Sequence, residues 1–334
     1  MQAWLLDAPS SPPVGLSALR LATHPEPLPK PGQALLALHY ASLNPADRYL
    51  AEGLYPAKPA YPHILGRDAV GTIIALGTQT QHLRVGDTKL ILRGEAGVSQ
   101  PGTFAQLIAV PEDVLADLPP TWSPEQGAGA PLVYLTAYQA LTQFGPLDPG
   151  SVVLVSGASG GVGVASLQLA HAMGLVPVAL SRDPAKHPVL LANGARLALS
   201  PNDPDWRETL YATLSRRPVS LVIDNIGGAG FEQLLDTLNQ NARVSVVGAL
   251  AGPVPQFNTA SLFFRRVHIR GVAVGTYTPA ESQIAWAQVI QLLAAANLKP
   301  LVDSIHPFPN LPQAFARLAA GPLGKVLLEI PPIG

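Results

Sequence analysis

The sequence predicts an α/β protein with a mostly β first domain and a doubly wound parallel sheet, on three observations. Val152-Val153-Leu154-Val155-Ser156 is an apolar strand that runs straight into Gly157-Ala158-Ser159-Gly160-Gly161-Val162-Gly163 and a nearly all-apolar helix. From residue 151 onward, short apolar runs alternate with helical segments, which implies parallel strands joined by right-handed crossovers. Residues 1 to about 120 instead carry short alternating strands broken by Gly and Pro.

Taken in order, the first strands are Ala34 to Ala41, Gly71 to Leu76, Lys89 to Leu92 and Thr103 to Val110. The texture changes at Ser123-Pro124-Glu125, where Ser123 caps a helix with Pro124 in its first turn. Val133 to Leu141 continues in helical style. The expected strands of the second sheet are 151–156, 176–180, 196–199, 219–224, 242–248 and 267–274, with helices such as 204–215 and 229–239 between them. Residues 280–296 form one long helix. Lys325 to Ile330 is a closing strand that returns to the first domain. The predicted division is 1–121 with 277–334, and 122–276.

The glycine loop is the most informative segment. A strand, a tight turn and a helix start aim backbone N–H groups and the positive helix end at a phosphate. The spacing is G-x-x-G-x-x-G with an added Gly161, so the usual G-x-G-x-x-G pattern is not matched strictly. Val176 to Leu180 sits where the second strand of a dinucleotide site belongs, and its end is Ser181-Arg182, with Lys186 four residues on. An NAD site carries an acid there for the ribose 2′-hydroxyl. A hydroxyl and two cations suit a 2′-phosphate, so the expected cofactor is NADPH. Asp183, before Pro184, reads as the cap of the next helix.

Composition narrows the class. A chain of 334 residues with 48% hydrophobic content suffices for two cores. The net charge of −1, with Arg216-Arg217 and Arg265-Arg266 as isolated pairs, argues against a nucleic-acid partner. There is no cysteine, which removes disulfides and thiolate metal sites and fits the cytoplasm. Met1 to Asp7 lacks the pattern of a signal peptide, and no apolar run has the length of a membrane span. The motifs Gly-x-Ser-x-Gly, His-Glu-x-x-His and Tyr-x-x-x-Lys are missing, and so is a Walker A lysine.

Asn44-Pro45-Ala46-Asp47, Gly53-Leu54-Tyr55-Pro56, Pro62-His63-Ile64-Leu65-Gly66-Arg67-Asp68-Ala69-Val70-Gly71, Val85-Gly86-Asp87 and the Gly157 to Gly163 loop together resemble the medium-chain dehydrogenase/reductases. The resemblance is to the zinc-free quinone oxidoreductase and enoyl reductase branch, and it covers nearly the whole chain. It implies a GroES-like catalytic domain, a Rossmann domain and a cleft between them. Zinc members place Cys where Asn44 stands and Gly-His-Glu where this chain has Gly66-Arg67-Asp68; their third ligand falls near Leu132. A guanidinium and an aliphatic chain cannot ligate zinc, and Asp68 with His63 makes two scattered donors, not a site. No metal is expected.

Without a Lewis acid, reduction of a quinone or of an activated C=C is a better expectation than alcohol oxidation. The resemblance implies that Tyr55 donates the proton and that Asn44 bonds cofactor ribose or substrate. Along the cofactor it puts Asn225, Gly248, Ala249, Val272 and Ala273. Lys325 matches a lysine near the cofactor phosphates, with a terminal-strand surface lysine as the alternative. Tyr40, Tyr134 and Tyr138 are candidates for shaping the substrate cleft, with core packing favoured for Tyr138. The last strand, around Val267 to Val274, is an edge strand suited to pairing with a second copy, so a homodimer is expected. The competing reading is a non-enzymatic NADPH-binding protein, structural or nucleic-acid-associated.

Overall fold

The computed structural model describes residues 1–10, 15–92 and 94–333. The chain forms two compact units. One comprises residues 1–132, 277–286 and 300–334, the other residues 133–276 and 287–299. In chain order the first strands are β1 (Gln2–Leu6), β2 (Leu19–Thr23), β3 (Gln33–Ser42), β4 (His63–Ile64), β5 (Asp68–Leu76), β6 (Thr88–Ile91), β7 (Leu107–Pro111) and β8 (Leu115–Asp117). Helix α1 (Pro45–Ala51) lies between β3 and β4, and α2 (Pro124–Ala128) and α3 (Pro131–Thr142) follow β8. Ser123 caps α2 as expected, its Oγ accepting from Gln126 N.

The second unit is built on β9 (Val152–Ser156), β10 (Val176–Leu180), β11 (Leu197–Leu199), β12 (Val219–Asp224), β13 (Leu238–Val246) and β14 (His268–Gly271). Among the described residues these strands form one parallel sheet in the order β11-β10-β9-β12-β13-β14. Helices α4 (Gly161–Ala172), α5 (His187–Ala192), α6 (Trp206–Thr213), α7 (Phe231–Leu235) and α8 (Ala260–Phe263) occupy the connections. Strand order reverses beside β9, all of whose residues are buried, as its uninterrupted apolar run requires. Ligands of such sheets bind at this switch point. Helix α4 closes at Gly174 (φ +74°), with Leu175 N donating to Ala170 O and Gly174 N to His171 O. That is the Schellman pairing, and glycine is the residue that adopts it without strain.

The last elements are α9 (Pro279–Ala295), β15 (Val302–Pro307), α10 (Leu311–Ala319) and β16 (Lys325–Glu329). Strand β16 runs antiparallel to β3, with Leu327 opposite Ser42, and parallel to β15, in a sheet ordered β15-β16-β3-β5-β6-β8 with β7 paired to β3. The first unit's core gathers Leu36, Ile73, Leu65, Phe104 and Phe315, the two rings edge-to-face at 6.1 Å. No helix among the described residues is long and apolar enough to cross a membrane.

Two segments differ from expectation. Residues 103–106 do not belong to a strand running through to Val110. They lie alongside β1 in an antiparallel bridge, Ala3 opposite Ala105, with Trp4 N donating to Phe104 O and Phe104 N to Leu65 O, before β7 begins. The helix expected over 229–239 is only Phe231–Leu235. Gly227 and Gly228, both at φ +65°, make the preceding turn, and Thr237 Oγ1 donates to Leu234 O at its end. Strand β13 therefore starts at Leu238, four residues before its expected position.

Candidate cofactor loop and buried polar site

In the second unit the strand–turn–helix segment forms a cradle. Gly157 lies at φ +60°, and a Cβ there would sit 2.6 Å from Ile226 Cδ1; one on Gly163 would sit 2.5 Å from Gly157 O. Both positions need glycine for close packing, and Gly160 is the residue before the first helical turn. Buried Ala158 donates its N–H to Leu180 O, which ties the loop to the tip of β10. The first turn of α4 contains Gly161, Val162 and Gly163, whose N–H groups lack intrahelical acceptors by helix geometry. Ser159 and Val162 are half-buried beside them.

The neighbouring strand ends supply unsatisfied polar atoms. Ser181 is buried, yet its Oγ has no hydrogen-bond partner among the described residues. Arg182 beside it is exposed, and Lys186 stands 4.0 Å from Asp183, whose carboxylate caps the next turn through Ala185 N. At the end of β12, Asn225 donates from Nδ2 to Ser156 O (2.8 Å) and from its backbone N to Ser156 Oγ (3.0 Å). Its buried Oδ1 is left without a partner. Gly248 approaches so closely that a Cβ would meet Asn225 O at 2.6 Å. Half-buried Ala249 and Val272 and exposed Ala273 lie on the loops after β13 and β14. An orphaned hydroxyl, an orphaned amide oxygen and a glycine cradle fit a dinucleotide at the switch point.

Sequence reasoning missed Ser156 and Asp224. Ser156 Oγ donates to Asp224 Oδ1 (2.6 Å), and the same carboxylate accepts from Ile226 N and Gly227 N. Together they fix the orientation of Asn225. The available signal was a hydroxyl closing an otherwise apolar strand and an acid closing the next one.

In the first unit two positions aligned with zinc ligands, Asn44 and Leu132, converge on one carboxylate. Asp68 Oδ2 accepts from Asn44 Nδ2 (2.8 Å) and Ser42 Oγ (3.1 Å), and Oδ1 accepts from Leu132 N (2.9 Å). Lys325 Nζ donates to Asn44 Oδ1 (2.7 Å) and Leu43 O (3.0 Å) and stands 3.9 Å from Asp68. Lys325 is thus a buried member of this cluster and no surface lysine, and both ends of the Asn44 amide are held by protein partners. Burial holds the Lys325 ammonium below its ordinary range, while Asp68 and Asp47 oppose that shift. The Lys325 ammonium beside Asp68 and the Arg67 guanidinium beside Asp47 do not fit a zinc ion, because they supply donors where the metal needs lone pairs.

Asp47, on the first turn of α1, is fully buried. It accepts from Asn44 N (2.8 Å) and faces Arg67 Nε at 3.3 Å. Burial raises its carboxyl to about 6, against the opposing pull of Arg67 and the Asn44 N–H. Arg67, also buried, reaches past Asp47. Its Nη1 donates to the Tyr55 hydroxyl (3.0 Å), its Cζ lies 4.4 Å over the Tyr55 ring, and its Nη2 donates to Ala46 O (3.4 Å). Tyr55 is half-buried on a loop anchored by Tyr55 N to Tyr49 O and by Lys58 Nζ to Gly53 O. Of the three tyrosines expected to shape the substrate cleft, Tyr134 is a core residue donating to Gln168 Oε1, and Tyr40 and Tyr138 are half-buried. Burial, with Glu125 beside it, pushes the Tyr40 hydroxyl up to about 12.

Comparison with known proteins agrees with both units. Residues 30–120 match the alcohol dehydrogenase GroES-like domain, and residues 161–295 match the zinc-binding dehydrogenase domain. A quinone oxidoreductase of Sus scrofa is 27% identical over 304 residues, 90% of each chain. The synaptic vesicle membrane protein VAT-1 homolog of Homo sapiens is 29% identical over 336 residues, 94% of this chain and 84% of that one. The crystal structure of an NAD-dependent alcohol dehydrogenase superposes with a TM-score of 0.88 at 26% identity, covering 99% of this chain and 100% of the other. With its two matched domains, its strand order and these relatives along its length, the chain belongs to the medium-chain dehydrogenase/reductase superfamily of oxidoreductases.

Proposed function

We propose that the protein is a zinc-independent, NADPH-dependent reductase that transfers hydride to a quinone or to an α,β-unsaturated carbonyl compound. The observation that carries this reading is the buried cluster of Asn44, Arg67, Asp68 and Lys325, in which an amide and a guanidinium stand at two positions aligned with zinc ligands and the Lys325 ammonium lies against the amide and Asp68. Such a cluster supplies no Lewis acid for an alkoxide, whereas hydride addition to a quinone or conjugated carbonyl needs none. Bound NADPH supplies the hydride. The helix start at Gly161 to Gly163 suits its pyrophosphate, Asn225 Oδ1 suits a hydroxyl or amide donor, and Ser181 with Arg182 and Lys186 suits its 2′-phosphate. Tyr55 is the proposed proton donor to the enolate. The cysteine-free composition supports a cytoplasmic setting.

The test is steady-state turnover with NADPH across a panel of small quinones and enones, run with and without a strong zinc chelator. Turnover of either class that persists in chelator supports the reading. Activity that disappears as stoichiometric zinc is stripped would overturn its zinc-independent part. A protein that binds NADPH and turns over nothing would be left with a structural role.

Cofactor choice has its own check. Arg182→Ala is expected to weaken NADPH about tenfold or more and leave NADH binding nearly unaltered, since one charged hydrogen bond contributes about 1.5–3 kcal/mol. Titration of both cofactors by fluorescence reads this, and equal losses would remove Arg182 from the phosphate site.

We also propose a homodimer paired along β14. All four residues of this edge strand are exposed, and Phe263 and Phe264 near it, a tilted ring pair, are 63% and 74% exposed. Light scattering at micromolar concentration should return twice the chain mass; a monomer mass rejects the proposal.

A further inference from the structure

We infer that Arg67 is the positioning residue for the Tyr55 proton, so that the guanidinium at a former metal-ligand position serves the acid. This rests on the reading of Tyr55 as proton donor and adds a residue to it. The geometry is specific. Arg67 is 5% exposed, so its charge is spent inside the protein. Its Nε and the Asp47 carboxylate lie 3.3 Å apart, yet neither Nε nor Oδ1 has a hydrogen-bond partner among the described residues. Asp47 balances the charge without orienting the fork. Orientation comes from Nη2 donating to Ala46 O and from Nη1 donating to Tyr55 Oη, with the fork packed over the phenol ring.

A phenol oxygen has one proton to give and lone pairs to accept with. Because Arg67 donates to that oxygen, the Tyr55 proton must point away from the guanidinium, toward whatever acceptor the site receives. After hydride adds to the β carbon of a conjugated carbonyl, the electron pair resides on the enolate. The Tyr55 O–H bond then breaks as the C–H bond at the α carbon forms. The negative charge left on Oη develops 3.0 Å from a fixed cation that needs no reorganisation. Water later returns the proton to the phenolate. A quinone accepts hydride to give a hydroquinone anion of much lower basicity, so its reduction draws less on this pair.

The experiment is a double-mutant cycle with Tyr55→Phe, Arg67→Leu and the combined variant, each assayed with NADPH on one enone and one quinone. Arg67→Leu is expected to lower the ratio of enone to quinone turnover by about tenfold to a hundredfold. The combined variant should be no slower on the enone than Tyr55→Phe alone, because without the phenol there is nothing for Arg67 to orient. If Arg67→Leu fails to fold, Arg67→Lys keeps the charge opposite Asp47 but loses the fork, and it should show the same selective loss. Equal loss on both substrates, or a combined loss equal to the product of the single losses, overturns the inference and leaves Tyr55 intact as the acid. If Tyr55→Phe reduces the enone at the wild-type rate, the acid reading falls and the inference falls with it.

Discussion

Tyr55→Phe is expected to slow reduction of conjugated carbonyl substrates by about 10²–10⁴, the usual worth of a positioned general acid. The substitution removes one oxygen and leaves the ring in its place against the first unit's core and under the Arg67 guanidinium. Stability and NADPH affinity should therefore change little. Quinone turnover should fall less. Stopped-flow measurement of NADPH oxidation with saturating enone reads the chemical step. A wild-type rate would make Tyr55 a packing residue and favour quinone reduction as the activity.

Asp68→Ala should cost about 3–5 kcal/mol of folding stability, the range for removing one partner of a buried ion pair. The carboxylate accepts from Ser42, Asn44 and Leu132 and faces the Lys325 ammonium, and the side chain is 1% exposed. Its loss removes an acceptor from Ser42 Oγ, Asn44 Nδ2 and Leu132 N and a facing charge from the Lys325 ammonium, which keeps Asn44 Oδ1 and Leu43 O. The pH dependence has a definite sign. Burial already lowers the Lys325 ammonium from its ordinary value, and without Asp68 that lowering must grow. Between that lowered value and the ordinary lysine value the folded variant binds fewer protons than the unfolded chain, so its stability rises with pH across that window. Urea denaturation should therefore give a larger deficit at pH 6 than at pH 9. Pairing Asp68→Leu with Lys325→Met should recover much of the loss, because charge and counter-charge leave together. A wild-type midpoint for Asp68→Ala would mean that the cluster contributes little to the fold.

The second unit was largely legible in the sequence because its signals are local. An apolar run, a glycine loop and a Gly at the helix end each declare themselves within a few residues, and β9, α4 and Gly174 follow from them. Residues 229–239 misled because their apolar spacing suits a helix, while Gly227 and Gly228 impose a turn that spacing does not reveal. The first unit was less legible because its pairings are long-range. Nothing near Thr103 announces that the backbone there will bridge to β1. At the candidate site, Arg67 could be read only as a side chain unfit for zinc. Its bond to Tyr55, twelve residues away across a loop, is a product of folding. Lys325 could be read as a surface lysine or as one near the cofactor phosphates, since only the pairing of β16 with β3 reveals that it is buried beside Asp68.

That pairing has a consequence for how the chain is made. Strand β3 is synthesised early, yet one of its hydrogen-bonded neighbours, β16, comes from residues 325–329. The Trp4 indole N–H likewise waits for Phe308 O, 304 positions downstream. A ribosome delivers residues from the first onward, so the first unit stays unfinished while all of the second is translated. Until Lys325 emerges, Asp68 has no counter-charge to be buried with, and one edge of β3 remains open to other strands. The N-terminal sheet is thus closed only after residues 325–329 have left the ribosome, and until then the nascent chain carries an open strand edge that favours aggregation.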